Sequence, residues 1–491
     1  MSFHLGNISQ FIGDGSARAH GPERIVLNPS TGQELAKVQT SSDQDIDHGI
    51  QLARKAQRDW KRRSGTERSR VLLRASQLLR SQNDRLARLE TLDTGKPVAE
   101  STTVDIQSAA DCLEYFGALA ASVQGDWLSQ PGAMAYTIRE PLGVVGAIGA
   151  WNYPLQIAAW KAAPALAMGN AVVFKPSQLT PVTAIELAKI FLEAGLPPGL
   201  FSVVQGAADV GSHLSRHPDI AKISLTGSVP TGRRVAATAG ENLKKVSLEL
   251  GGKSPLIVFA DANLDEALKG ILLGNIFTQG EVCSNGTRVF VHRSVASEVT
   301  ERLVQKLTNL RIGDPLDPQT QMGALISQEH RHRVLDAVQK GKKEGAHLVF
   351  GGQVPLALRE DPVLCHGFFM EPALFVGCHD AMTIVREEIF GPVISLLTFE
   401  EDDEVLSRAN HTEFGLAAGV FTRDFARAHR FAAELEAGIV WINNYNITPV
   451  QLPFGGVKNS GIGRENGHAA LDDFSQVKSV YVELSQISSP Y

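Results

Sequence analysis

The sequence predicts an α/β protein: a doubly wound parallel sheet, a second α/β unit following it, and a β-rich arm. Three observations carry this. Short, near-continuously apolar runs recur from Pro141 onward, amphipathic helical stretches separate them, and 491 residues exceed what one hydrophobic core fills, about 250–300.

Ahead of the sheets, Ser42 to about Ser122 reads as helices. Ile46, Ile50, Ala53 and Ala56 keep helical spacing, and Val71, Leu72, Ala75, Leu78 and Leu79 repeat it. From Pro141 the apolar runs are Val144–Ile148, Ala171–Phe174, Phe201–Val204, Ala221–Leu225 and Val246–Leu250, with helical stretches such as Thr183–Leu192 and Val210–Leu214 between them. Such alternation indicates right-handed parallel βαβ units, whose sheets take nucleotides at the carboxyl ends of the strands. After the Leu250-Gly-Gly-Lys-Ser254 turn a second series begins: Leu256–Phe259, Val289–His292, Val393–Phe399, Val420–Thr422 and Ile439–Ile442. The last run, Val477–Leu484, has no helix partner and is expected to pair elsewhere, with another subunit as one option.

Composition excludes several function classes. A net charge of −6 supplies no basic excess for a nucleic-acid backbone or an anionic membrane. Met1–Asn7 lacks a basic segment followed by an apolar one, and the longest apolar stretch, Leu142–Trp151, falls short of the ~20 residues of a membrane helix. Cys112, Cys283, Cys365 and Cys378 make no disulfide framework, and no Cys/His cluster has metal spacing. A cytoplasmic protein with reduced thiols and no metal is expected.

Five segments carry candidate chemistry. Cys283 sits among Gly280, Ser284, Asn285 and Gly286, where a thiolate is reachable and backbone N–H groups can hold it, although a lone cysteine is more often a buried small hydrophobe. Glu249 ends an apolar strand before Gly251-Gly252; it is either a strand-end surface glutamate or a general base with a raised pKa. Asn152, in Gly149-Ala-Trp-Asn-Tyr-Pro154, is a turn asparagine or a donor to an oxyanion, and Lys161 on the next helix is by itself an ordinary helix lysine. Leu225-Thr-Gly-Ser-Val-Pro-Thr-Gly232 is a strand–turn–helix whose N–H groups suit a pyrophosphate, though the Gly-x-Gly-x-x-Gly fingerprint is absent. Lys175 and Gln178, in Val173-Phe-Lys-Pro-Ser-Gln178, stand at the sheet edge where an adenine ribose is held, or simply close a polar turn.

Together these segments resemble the aldehyde dehydrogenase superfamily over essentially the whole chain. The matching stretches include Trp-Asn-Tyr-Pro, Phe-Lys-Pro-Ser, Thr-Gly-Ser, Leu-Glu-Leu-Gly-Gly-Lys-Ser-Pro, Gln-Gly-Glu-Val-Cys, Glu-Glu-Ile-Phe-Gly-Pro and Pro-Phe-Gly-Gly-Val-Lys-Asn-Ser-Gly. Within it, Trp441-Ile-Asn-Asn-Tyr-Asn446, Gly463-Arg-Glu-Asn-Gly467 and Gly195-Leu-Pro-Pro-Gly199 look most like the betaine aldehyde and 4-trimethylaminobutyraldehyde dehydrogenases.

The resemblance implies NAD(P)-dependent oxidation of an aldehyde to the acid. It makes Cys283 the nucleophile, Glu249 the general base, and Asn152 with the Cys283 N–H the oxyanion hole; Lys161 and Glu465 match a charge-relay or proton path. Trp151, Lys175, Ser177, Gln178, Gly227 and Ser228 match the cofactor crevice, and Glu388 and Phe390 the clamp on the nicotinamide ribose. Tyr153, Trp160, Tyr445 and Phe454 are expected around the aldehyde, with Tyr153 and Trp160 on one helix face, forming an aromatic surround for a trimethylammonium group. The implied division is 1–121 with 141–251 for the dinucleotide, 252–452 for catalysis, and 122–140 with 467–491 as an oligomerisation arm of a dimer or tetramer. Two departures stand out. Gln178 and Gln451 occupy positions where relatives commonly carry glutamate, which opens NADP as a cofactor and weakens the attraction for a cation. A general aliphatic or amino-aldehyde dehydrogenase, a thiol esterase and a non-catalytic structural relative are the alternatives.

Overall fold

The computed structural model describes residues 4–491; Met1–Phe3, the start of the segment read for a leader, lie outside it. Four helices, Asp43–Trp60, Gly65–Ser81, Asn83–Thr94 and Ile106–Ala120, fill the region read as helical. Two start on capping boxes: Ser42 with Asp45, and Ser64 with Glu67, each serine accepting from the third helical N–H while the carboxylate accepts from the serine N–H.

The first large sheet has eight strands. Its parallel centre runs Lys245–Glu249, Ile220–Thr226, Val144–Ile148, Ala171–Lys175, Phe201–Val203. Chain order therefore reverses at Val144–Ile148: later strands are added first on one side, then on the other. Both central strands are buried on each face, which is why they read as continuous apolar runs. The edges are antiparallel additions the sequence reading missed, Gln10–Ile12 with Gly15–Ala17 on one side and Gly461–Ile462 on the other. They are two or three residues long, too short for any period to show.

The second sheet has seven strands, ordered His347–Gly351, Ala373–Val376, Val393–Phe399, Arg288–His292, Pro255–Val258, Ala417–Phe421, Ile439–Ile442. Only Leu250–Ser254 separates the two sheets in the chain. The terminal strand, expected to pair elsewhere, does so inside the chain. Ser475–Glu483 is not partnerless within the chain; it pairs antiparallel with Ala133–Pro141, from Ser475 opposite Pro141 to Glu483 opposite Ala133. Trp127–Gln130 adds the third strand, and this arm exposes Trp127, Tyr481 and Leu484.

Candidate active site

A cavity of about 1210 Å³ opens where the first sheet's strand order reverses. That is where parallel doubly wound sheets bind ligands, because adjacent loops diverge there and leave a crevice. Ile148–Asn152 and Leu225–Ser228 leave the two diverging strands and line it; Lys175, Ser177 and Gln178 line it from the next strand. Thr226 Oγ1 and the Gln178 Oε1 atom, both on this cavity, are buried without protein hydrogen-bond partners. The Lys175 ammonium donates to the Pro176 and Gly206 carbonyls at 2.7 and 2.9 Å, and burial lowers its pKa to about 8. The helix Val229–Glu241 begins immediately behind Ser228, so its free N–H groups face the turn. A dinucleotide fits this set: orphaned acceptors for ribose hydroxyls, a helix N-terminus for phosphates, and room for both.

The second unit closes the other wall. Glu388 accepts the Gly252 N–H at 3.0 Å, and burial raises its carboxyl to about 7. Phe390, held at φ 59°, meets Trp151 edge to face at 5.1 Å, and His330 donates through Nε2 to the Phe390 carbonyl at 2.7 Å. A side chain on Gly251 would place Cβ 2.0 Å from the Glu388 carboxylate, and one on Gly252 would lie 2.5 Å from the Cys283 carbonyl, so this crossing between sheets needs both glycines.

Cys283, Glu249 and Asn152 converge on the same cavity from three distant segments. Glu249 is the last residue of its strand, 4% exposed, with Oε2 unpartnered; burial and then Glu465 hold its carboxyl well above the usual range. Burial also raises the Cys283 thiol, with Glu249 and Glu388 adding to the effect. Asn152 donates through Nδ2 to the Glu281 carbonyl at 2.9 Å, tying the end of the first sheet to the segment two residues before Cys283. An amide has two N–H groups, so one remains free to point elsewhere. Behind Glu249, Lys161 and Glu465 form a buried ion pair, and Lys161 also donates to Ser224 at 3.1 Å.

The aromatic residues are arranged differently from the sequence expectation. Tyr153 precedes the helix Pro154–Ala167 rather than lying on it, and its hydroxyl meets Thr278 Oγ1 at 2.8 Å. Trp160 donates to Ser108 at 3.1 Å and packs edge to face on Phe454 at 5.7 Å. Tyr445 does not line a tunnel. It is fully buried in the core of the second unit, donating to the Ser284 carbonyl at 2.9 Å, and Gly286 and Gly419 are bare because its ring presses on them. Asn443 and Asn446 adopt positive φ on either side of it, and that turn sends the ring inward, an outcome no periodicity announces.

Residues that sequence reasoning passed over also meet here. Arg234, Arg333 and Lys340 line the cavity, and outside it Glu100 accepts the Thr278 N–H five residues before Cys283. Glu100 stands in a polar run, Val98-Ala-Glu-Ser-Thr-Thr103, with nothing to set it apart from a solvated helix face.

The chain is similar to known proteins over nearly its whole length. The model of the aldehyde dehydrogenase family matches residues 17–480. Betaine aldehyde dehydrogenases of Brucella anthropi and Mesorhizobium japonicum are 53% and 55% identical to this chain, over 98% and 95% of it and 99% and 95% of their own lengths. Among solved structures, the NAD+ complex of an aldehyde dehydrogenase from Bacillus cereus superposes with a TM-score of 0.94 at 39% identity, covering 98% of this chain and 97% of that one. The betaine aldehyde dehydrogenase of Staphylococcus aureus with NAD+ gives 0.94 at 35% identity, covering 98% and 96%. This chain belongs to the aldehyde dehydrogenase family and is an NAD-dependent oxidoreductase acting on aldehydes.

Proposed function

We propose that the chain oxidises a trimethylammonium aldehyde, betaine aldehyde first, to its carboxylic acid through a thioester on Cys283. The observation that supports the chemistry is the convergence of a thiol, an unpartnered buried carboxylate and a free amide N–H from three distant segments. The 53–55% identical relatives that bear the name betaine aldehyde dehydrogenase support the substrate.

In this reading the Glu249 carboxylate takes the Cys283 proton, and the sulfur attacks the aldehyde carbon. The carbonyl electron pair moves onto oxygen, where the Asn152 Nδ2–H and the Cys283 N–H stabilise it. Lys175, Ser177, Gln178, Gly227, Ser228, Trp151, Glu388 and Phe390 would hold the dinucleotide, whose nicotinamide would supply the acceptor for the hydride lost from the carbon now bonded to sulfur. The carbonyl re-forms as a thioester. Glu249 then accepts a proton from water, the resulting hydroxide attacks the carbonyl carbon, and the sulfur leaves. Lys161 and Glu465 pass the proton on from Glu249. NAD is the cofactor in this reading, and because Gln178 is neutral and does not repel a 2′-phosphate, NADP is admitted beside it.

The substrate test compares kcat/KM for betaine aldehyde, 4-trimethylaminobutyraldehyde and an uncharged aldehyde of equal length, following NADH absorbance. Preference for the uncharged compound by about tenfold, ~1.4 kcal/mol in transition-state binding, overturns the trimethylammonium reading and leaves a general aldehyde dehydrogenase. Cys283→Ala is expected to abolish turnover while NAD binding persists; turnover above about a thousandth of wild type would contradict covalent catalysis.

We further propose a homodimer or homotetramer, in a cytoplasmic setting. The arm's two outer strands, Trp127–Gln130 and Ser475–Glu483, and the outer strand Ile439–Ile442 of the second sheet keep open edges that a second copy would cover. Light scattering at the chain mass of 52.9 kDa would overturn this. Among the described residues no helix is long and apolar enough to cross a membrane.

A further inference from the structure

We propose that Glu100 is a positioning residue for the nucleophile: it holds Phe277–Gly280 in the conformation from which Cys283 is presented. The claim rests on the reading of Cys283 as nucleophile. Thr278 and Gln279 lie at φ 51° and 53°, and Gly280 follows at 76°. Two successive non-glycine residues in the left-handed region are costly and persist only where the surroundings over-determine them.

The surroundings here are specific. Glu100, at the end of the short turn Val98–Glu100, accepts the Thr278 N–H at 2.9 Å and the Thr278 hydroxyl at 3.3 Å, across 178 positions of chain. The Tyr153 hydroxyl lies 2.8 Å from Thr278 Oγ1. Thr278 Oγ1 thus bridges Tyr153 and Glu100, and burial raises the Glu100 carboxyl to about 8.

From there the bonds continue to the site. The Thr278 carbonyl accepts the Glu281 N–H at 2.8 Å, the Glu281 carbonyl accepts the Asn152 amide at 2.9 Å, and the Glu281 carboxylate accepts the Ile326 N–H at 3.0 Å. Gly280 packs closely on the next segment: a Cβ there would stand 2.4 Å from the Gly391 backbone. Losing the Glu100 carboxylate therefore strands a donor at Thr278 and frees the loop five residues before the sulfur, while the dinucleotide cavity, which Glu100 does not line, keeps its walls. The structure thus separates nucleophile presentation from cofactor binding.

The test measures the rate of Cys283 carbamidomethylation by iodoacetamide, mapped by peptide mass spectrometry, alongside NAD affinity and the NADH burst. Glu100→Ala is expected to slow alkylation and burst by about tenfold or more, with the NAD Kd changed less than about twofold. Glu100→Gln keeps an acceptor oxygen and is expected to recover both rates to within about threefold of wild type. Thr278→Val removes only the hydroxyl donor and gives an intermediate loss; it carries the test if Glu100→Ala does not fold. Wild-type alkylation in Glu100→Ala or in Thr278→Val, a Gln variant no better than Ala, or an equal loss of NAD affinity would overturn the positioning role. If Cys283→Ala is still inactivated by iodoacetamide, the nucleophile reading itself fails. If alkylation maps to Cys283 and ignores Glu100, only the positioning claim fails.

Discussion

The Lys96 ammonium sits 3.8 Å from the centroid of the Tyr153 ring, fully buried and paired with Asp105 at 2.5 Å. One aromatic face of Tyr153 is thus already occupied by a cation. A trimethylammonium group meeting that ring finds one face already taken, whereas among the described cation–ring contacts none involves Trp160 or Phe454. Trp160→Leu should therefore lower kcat/KM for betaine aldehyde relative to an uncharged aldehyde by about tenfold, in line with cation–π contacts of ~0.5–2 kcal/mol. Tyr153→Phe should shift that ratio by less than about twofold. The ratio of the two substrates, measured on each variant, decides it; equal effects would reject the division of labour.

Both reactive acids are held protonated by burial, and this fixes a pH dependence. Glu249 and Cys283 are each raised, so each becomes reactive only as pH climbs. Iodoacetamide inactivation without cofactor should accelerate steadily from neutral pH to about pH 9–10 with no plateau below, since only the thiolate reacts. The stability term has the same sign. The folded state holds the Glu249 proton more tightly than the unfolded chain, so this contribution is complete below the ordinary carboxylate value of 4.5 and is lost as pH rises through the raised one. A plateau near neutral pH would show a thiol already activated by something else.

Glu249→Gln should leave an NADH burst and slow the steady state by about a hundredfold or more, the scale on which general bases act. Glutamine fills the same space, so the burst reports on hydride transfer with the water-activating carboxylate gone. Stopped-flow absorbance separates the phases. Disappearance of the burst would move the residue's main task to activating Cys283.

Gln178→Glu tests cofactor choice. Its Oε1 atom is buried on the cavity without a partner, so a carboxylate there gains ribose hydroxyls but repels a 2′-phosphate. NADP-supported kcat/KM should fall by about tenfold or more while the NAD value stays within about threefold. Equal losses with both cofactors would place the residue away from the ribose.

Lys161→Met should lower the thermal midpoint sharply, because it leaves the Glu465 carboxyl group buried without its partner; breaking one side of such a pair costs about 3–5 kcal/mol. Replacing both, as Lys161→Met with Glu465→Leu, should recover part of that stability without recovering turnover. Calorimetry and a turnover assay on the two variants check the two halves separately.

The sequence by itself determined the class of fold, because a strand buried on both faces must be apolar along its whole length, as Val144–Ile148 and Ala171–Lys175 are. It also identified Cys283, Glu249 and Asn152 as candidates, since a polar group in an apolar strand or a thiol among glycines departs from its local pattern. What only the tertiary structure decided is which distant groups meet. Tyr445 and Tyr153 look alike along the chain, yet one is driven into a core by a turn at Asn443 and Asn446 while the other stands at Thr278. The terminal strand's pairing with Ala133–Pro141, and the 3.3 Å hydrogen bond that Arg139 donates to Ser475 across 336 positions of chain, are likewise invisible locally. Glu100 is the clearest case. A glutamate in a polar helical turn is solvated by default, and its approach to a loop 178 residues later follows from how two units pack, which no local period records.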